Sequence, residues 1–224
     1  MTDLAQHRRR LFYRPFMESP EPCSVPWIYR RTRHPVFAWL GLRPIFAQHT
    51  SAEHETLKRW ACGRRRLVEI GVAEGASALA LREAMSSDAV LYLIDPFHLS
   101  RIQWINATRH AAVSAVSTCQ NGTVVWIKEF GSKAADDWTT PIDLVFFDGD
   151  HSEQAVRQDW EKWERFVIPG GTAIFHDARV FPGGWPAPAD GPVKVVNSLF
   201  RDARFSGWKI VEEVHSMVVV QREE

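Results

Sequence analysis

Leu67-Val-Glu-Ile-Gly-Val-Ala-Glu-Gly75 decides how this chain is read. Its apolar first half follows Arg64-Arg65-Arg66, and it closes on two glycines, Gly71 and Gly75. Ala76-Ser-Ala-Leu-Ala-Leu-Arg-Glu-Ala-Met85 then carries a helical pattern. A buried strand that breaks at glycines and turns into a helix is half of a nucleotide-binding βαβ unit. Glycine lets backbone approach a ligand closely, and a helix start offers unpaired N–H groups. The next apolar run, Val90-Leu-Tyr-Leu-Ile94, stops at Asp95, whose carboxylate can take two ribose hydroxyls. These features predict a site for a nucleoside-bearing cofactor.

The spacing Glu69-x-Gly71-x-Ala73-x-Gly75 departs from the dinucleotide fingerprint, which needs a glycine where Ala73 stands so that a pyrophosphate can enter. Carboxylates at Glu69 and Glu74 repel a pyrophosphate and suit a cation. S-adenosylmethionine (SAM) carries a sulfonium and an ammonium and no phosphate, so the charge pattern favours SAM over NAD.

Working outward, Thr50-x-x-Glu53 has the form of a capping box for a helix running to Ala61. Beyond Asp95, Leu99 to Cys119 reads as a helix closed by Asn121-Gly122, and Thr123 to Lys128 as a strand. A short helix is expected at Ser132 to Trp138, and a buried strand at Ile142 to Phe147, ending on Asp148. Asp150-x-x-Glu153 is expected to cap the next helix, with Val156, Trp160, Trp163 and Val167 on one core-facing side. Pro169-Gly-Gly171 ends it, and Thr172 to His176 is the fifth strand. The Pro/Gly-rich stretch 181–192 is a loop of the kind that covers ligands. Val193 to Arg204 reads as a helix, and Trp208 to Val214 with Ser216 to Val220 as an antiparallel hairpin. The expected fold is α/β: a Rossmann-like, doubly wound seven-stranded sheet, mostly parallel, with a C-terminal antiparallel hairpin. Ligands bind outside the carboxyl ends of the strands in such sheets, where Gly71, Asp95, Asp148, His151, His176 and Asp177 all fall.

Composition bounds the rest. At 224 residues and 45% apolar, the chain suits one domain with a short appendage. No apolar run reaches a membrane span, and the Arg-rich start lacks the apolar core of a secretory signal. Cys23, Cys62 and Cys119 are scattered and odd in number, which fits reduced thiols in a cytoplasmic protein. Net charge is zero, yet residues 1–66 hold 13 Lys/Arg against 5 Asp/Glu. Arg8-Arg9-Arg10 and Arg30-Arg31 are short clusters without a nucleic-acid-binding module, and they read as solvated faces. Residues 1–50 mix arginine, proline and aromatics and are expected to pack on the core, shaping a substrate mouth or a homo-oligomer contact. Residues 51–224 are expected to form the main domain.

Asp148-Gly-Asp-His151 and His176-Asp177 could do chemistry. Asp148 and Asp177, on neighbouring strand ends, are candidate ligands for Mg²⁺ or another divalent cation that would hold a substrate hydroxyl. His151, three residues beyond Asp148, is placed to take the hydroxyl proton. Asp150 serves the helix as a cap, and imidazole at His176 suits a softer metal better than Mg²⁺.

Val68-Glu-Ile-Gly-Val-Ala-Glu-Gly75, Leu93-Ile-Asp-Pro-Phe97, Asp143-Leu-Val-Phe-Phe-Asp-Gly-Asp-His151 and Pro169-Gly-Gly-Thr-Ala-Ile-Phe-His-Asp177 together resemble class I SAM-dependent methyltransferases. They are similar to the group that includes catechol-type and macrolide-sugar O-methyltransferases. The resemblance spans roughly residues 50–222. It implies that Glu69, Gly71 and Gly75, with Ala73 in the same turn, line the methionine end of SAM and that Asp95 holds the ribose. It also matches Asp148 and Asp177 to metal ligands of the metal-dependent members, and His151 to a base of the sugar-modifying ones. Those relatives carry a further acid or amide beside Asp177, where this chain has His176 and Ala178. The expected function is methyl transfer from SAM to a hydroxyl of a small molecule or sugar. An RNA or protein methyltransferase and a non-catalytic SAM-binding module are the alternatives.

Overall fold

The computed structural model describes residues 13–14, 34–97, 106–202 and 207–224. Seven strands form the main sheet: β1 (Arg66–Ile70), β2 (Val90–Ile94), β3 (Thr123–Ile127), β4 (Ile142–Phe147), β5 (Val167–Phe175), β6 (Trp208–Val214) and β7 (Met217–Arg222). Their order across the sheet is β3-β2-β1-β4-β5-β7-β6. β1 to β5 are parallel, and β7 runs antiparallel to both β5 and β6. The order reverses between β1 and β4, and that switch point opens the crevice in which doubly wound sheets hold ligands.

The helices are α1 (Pro35–Trp39), α2 (Ser51–Ala61), α3 (Ala76–Ala84), α4 (Ala107–Val116), α5 (Gly131–Ala134), α6 (Glu153–Trp163) and α7 (Gly191–Val196). Strand side chains alternate between two faces. On one, Leu67, Leu91, Leu144 and Phe146 pack against Leu57, Leu81 and Val116 of α2 to α4. On the other, Val68, Ile70, Val145 and Phe147 pack with Val156, Trp160 and Trp163 of α6. Both tryptophans are fully buried, so they are core, as the helical spacing indicates. Among the described residues no helix is long and apolar enough to cross a membrane.

Local expectations meet the structure unevenly. The capping box at Thr50 and Glu53 is complete. At α6 the cap is Ser152, whose Oγ accepts from the Ala155 N–H, while Asp150 accepts from the Ser152 N–H in the preceding turn. Val167 does not continue α6: the helix stops at Trp163, a 3₁₀ turn follows, and β5 begins at Val167. Pro169-Gly-Gly171 is a bulge inside that strand, across which the pairing jumps from Ile142 opposite Val167 to Leu144 opposite Thr172. Proline cannot donate to the ladder and Gly170 sits at φ +73, which suits a bulge as well as a helix stop. The helix at 191–196 continues as a π-helical turn over Asn197–Asp202. The beginning of the expected helix at Leu99 and the arginine clusters at 8–10 and 30–31 lie outside the described residues.

The strand ends are locked together laterally. Gly71 N–H donates to Ile94 C=O, Asp148 N–H to Ile70 C=O and His176 N–H to Phe147 C=O, at 2.8–3.0 Å. This brings Gly71, Asp95, Asp148 and His176 to one rim. Gly71 has φ +87, and a Cβ there would stand 2.1 Å from the Asp148 carbonyl oxygen. Its glycine is therefore demanded by the neighbouring strand end, independently of any ligand. Gly71→Ala is expected to lower the unfolding free energy by about 2–4 kcal/mol, from backbone strain plus overpacking. Denaturant titration reads this, and a loss below about 0.5 kcal/mol, the ordinary range for surface changes, would contradict it.

Candidate active site

A cleft of about 530 Å³ opens at this rim, lined among others by Gly71, Ala73, Asp95, Phe130, Asp148 and His151. Its size falls within the 300–1,000 Å³ or so usual for small-molecule sites. Asp95 is held by backbone: Oδ2 accepts from the N–H groups of Val72 (2.8 Å) and Ala73 (3.1 Å), and Oδ1 from Phe97 (2.6 Å). A carboxylate has about four lone-pair positions, and with both on Oδ2 taken, one on Oδ1 remains for a hydroxyl donor. Ala73 and Phe97 both adopt left-handed backbone here, Ala73 at φ 47 and Phe97 at φ 42. Such strain in non-glycine residues gathers at ligand clamps.

Two of the expected cofactor contacts lie elsewhere. Glu69 shares the face of Leu67 and is fully buried, its Oε1 accepting from Ser77 Oγ of α3. Burial, with Asp148 and Asp95 nearby, pushes its pKa well above the ordinary carboxylate value and so disfavours its charged form. Its Oε2 has no hydrogen-bond partner. Gly75 is buried against Ala112 of α4, its virtual Cβ 3.1 Å from that residue's Cα. Glu74, counted with Glu69 as an attraction for a cation, is neutralised by Arg43, whose Nη1 and Nη2 donate to it at 2.7 and 2.6 Å. It also accepts from the Phe46 N–H. Of the residues expected to hold the cofactor, Gly71, Ala73, Asp95 and Asp148 line the cleft.

Because the Glu69 pKa is raised in the fold, the unfolded chain loses its proton first. Stability from this residue is therefore greatest below the unfolded value of about 4.5 and declines as pH rises toward the folded value. Glu69→Gln removes that dependence. Its melting temperature is expected to gain on the wild type as pH rises above 5; an unchanged or widening deficit would show that Glu69 is ionised.

Residues 34–50 wrap this side of the domain. α1 contacts α4 through Trp39 stacked on His110 at 4.7 Å, Ile45 and Ala47 are buried, and Gln48 borders the cleft. Residues 45–46 pair in parallel with residues 13–14.

Beside the cleft stands a cluster of acids and imidazoles from α2, the β4–α6 loop and the end of β5. His176 is buried, with Nδ1 3.0 Å from Asp148 Oδ1 and 3.4 Å from Asp177 Oδ1. Its Nε2 lies 3.8 Å from Glu53 Oε2 of α2, an ion-pair distance too long for a hydrogen bond. Burial alone would strip its proton, but Asp148, Glu53 and Asp177 outweigh burial and raise its pKa well above the usual histidine range. The same attraction holds Asp148 at about 2 and Glu53 at about 2, against burial that would raise both. Burial is the larger influence on Asp177, whose pKa rises. Half-exposed His151 spans the gap, Nε2 3.6 Å from Asp148 and Nδ1 3.6 Å from Asp177. The Asp148 carboxylate beside it raises its pKa.

Asp148, His151 and Asp177 each offer one ligand atom within 4.8 Å of the others. His176 engages Asp148 Oδ1 and the Trp185 indole N–H donates to Asp177 Oδ1, which leaves each carboxylate its Oδ2 for a cation that keeps several waters. The place of a further acid beside Asp177 is taken by His176.

Sequence reasoning read Glu53 only as part of the capping box; it also pairs with His176 and accepts from the Ser216 N–H and Oγ. It missed Phe130, half-exposed at the cleft, although a position just beyond a parallel strand end signals a ligand contact.

Comparison with known proteins agrees with the geometry. Residues 68–178 match a family described as a methyltransferase domain. The fold is that of the O-methyltransferase TomG from Streptomyces achromogenes, solved with SAM, at TM-score 0.59 and 16% identity over 85% of this chain and 88% of that one. It is equally that of an rRNA methylase from Streptococcus thermophilus (0.56; 13%; 80% and 100%) and of the N-methyltransferase NodS from Bradyrhizobium japonicum (0.51; 16%; 77% and 95%). Three kinds of acceptor on one fold leave the acceptor to be argued from the site. The match to a methyltransferase domain runs from β1 to just past Asp177 and so takes in Gly71, Asp95, Asp148, His151 and Asp177, on the doubly wound sheet that the SAM-bound neighbour shares.

Proposed function

We propose that this protein transfers the methyl group of SAM to a hydroxyl of a small molecule or sugar, with His151 as general base. What supports this most is the position of His151 at the edge of the cofactor cleft, between two carboxylates that hold its ring. In this reading Gly71 and Ala73 border the methionine end, Asp95 takes the ribose hydroxyls and Phe130 offers its ring to the adenine. Bound SAM supplies a methyl group activated by its cationic sulfur.

The residues of the chain do three things. Asp148, kept ionised by His176 and His151, orients the His151 imidazole and stabilises it once protonated. His151 takes the acceptor's hydroxyl proton as the oxygen attacks, and the half-buried rim aligns oxygen with the methyl carbon. His176, fixed by Glu53, keeps the buried carboxylates from repelling one another. The transfer so described uses no metal.

An RNA acceptor fits less well. The described rim presents Asp148, Asp150 and Asp177, while Lys194 and Arg157 beside it are paired to Glu153. Phosphates would meet like charge there. Residues 1–50 are proposed as an extension that supports the cofactor turn through Arg43, with 51–224 as the catalytic domain, in a cytoplasmic protein.

Incubation with methyl-labelled SAM and a panel of hydroxyl compounds tests the proposal, with product analysed for O–CH₃. Label moving to hydroxyl oxygen is the expected result. Label moving to RNA or protein instead, or to no acceptor while SAM binds, would support one of the two alternatives.

A further inference from the structure

Helix α6 grips the turn that leads from β3 into α5. Its residues Asp159, Lys162 and Trp163 fall at i, i+3 and i+4, on one face. The Trp163 indole N–H donates to the Gly131 carbonyl at 2.9 Å. Lys162 Nζ donates to the Ser132 carbonyl at 3.0 Å and to Asp136 Oδ1 at 2.6 Å. Asp159 is buried against the same turn: a Cβ on Gly131 would stand 2.8 Å from its Oδ1. α5 opens on Phe130, whose side chain cannot cap a helix, and Asp159 is the carboxylate beside the Ser132 N–H.

Gly131, Ser132 and Asp159 also line the cleft, so the gripped turn is part of its wall. Other acids of that wall are engaged: Asp95 by three backbone N–H groups, Asp148 by His176 and Asp150 by the Ser152 N–H. At Asp159 burial prevails. It holds the carboxyl up at about 7, with Asp150 pushing the same way and the Ser132 N–H and Lys162 the other. An acid kept where its charge is disfavoured breaks a local rule, and such breaks gather at functional sites. We propose that Asp159 and Lys162 position the cofactor: from α6 they fix the 130–132 turn as the wall against which the nucleoside end of the ligand binds. This role rests on the cofactor reading above and adds two residues of α6 to a site otherwise built at strand ends. Neither residue has to touch the reacting atoms. They set the turn before the ligand arrives, which lessens the ordering that binding requires.

Calorimetry on the full-length protein tests this with two probes: S-adenosylhomocysteine, and methylthioadenosine, which has the nucleoside but no amino-acid end. Asp159→Leu keeps the bulk and removes the acceptor. It is expected to weaken both probes about tenfold, as an unmatched N–H in the wall implies. Asp159→Asn keeps an acceptor oxygen and should weaken them by less than about threefold. Lys162→Met, at a partly exposed position, should weaken both about threefold. In the combined Asp159→Leu, Lys162→Met protein the losses should not multiply, because both act on one turn. Unchanged affinity in the single variants would overturn the role. So would equal losses in Asn and Leu, losses that multiply, or a loss for S-adenosylhomocysteine that methylthioadenosine does not share. Should circular dichroism show Asp159→Leu unfolded, Lys162→Met decides with the same two probes. A wild type that binds neither probe would instead overturn the cofactor reading, and this role with it.

Discussion

Asp148→Asn is expected to reduce kcat by about 10²–10⁴-fold, the range that follows from loss of a base's orienting carboxylate. The substitution preserves shape and removes charge. In the wild type that charge pairs with buried His176 at 3.0 Å and steadies His151 at 3.6 Å. Once it is gone, His176 has lost the partner that most favours its proton, so its pKa must fall. His151 loses the neighbouring charge that raises its own pKa, and its ring is freer to turn. Removing one partner of a buried pair costs about 3–5 kcal/mol of stability, so activity is to be measured where circular dichroism shows the variant folded. Affinity for S-adenosylhomocysteine should change by less than about tenfold, since Asp95 and the Gly71 turn still shape the cleft. Full turnover in Asp148→Asn would dismiss the cluster as catalytic machinery.

The second large effect is at His151. A base must be unprotonated to act, and the His151 pKa lies above 6.5. Wild-type kcat/KM should accordingly fall about tenfold per pH unit on the acid side of that value and level off above it. The direction is fixed by cause: Asp148 favours the protonated ring more than burial disfavours it. His151→Gln is expected to lower kcat/KM by about 10²–10⁴-fold near pH 8 and to flatten the acid limb, leaving a smaller deficit at pH 5.5. A variant that keeps the same acid limb would place the titrating group elsewhere, with Asp177 the next to examine. In Asp148→Asn the limb should move to lower pH.

How much of this could be read from the residues depended on distance along the chain. Alternating apolar runs ending in Gly71, Asp95, Asp148 and His176 were enough for seven strands in the right class and for one functional rim. The capping box at Thr50 and Glu53 is a local signal, and it formed as written. Asp150 and Ser152 are both good cap residues two positions apart, and local chemistry does not choose between them. Pro169-Gly-Gly171 misled because proline and glycine disrupt helix and strand alike, and only the partner strand turns the break into a bulge.

The charges were hardest. Glu74 looked available to a cation until Arg43, 31 residues earlier, closed on it. Glu69 lies two residues after Leu67 on the same face, toward α3, so its burial was implicit in strand periodicity even though its acidity suggested a ligand contact. His176 looked like a poor metal ligand; its role as a buried cation depends on Glu53, far away on α2.

A crystal structure of the protein with S-adenosylhomocysteine tests the central claim most directly. It should hold the ribose hydroxyls on Asp95 and the adenine against Phe130, and aim the sulfur toward His151 across the rim. Nucleoside density anywhere else, or a sulfur pointing away from Asp148 and His151, would contradict the site and the chemistry argued from it.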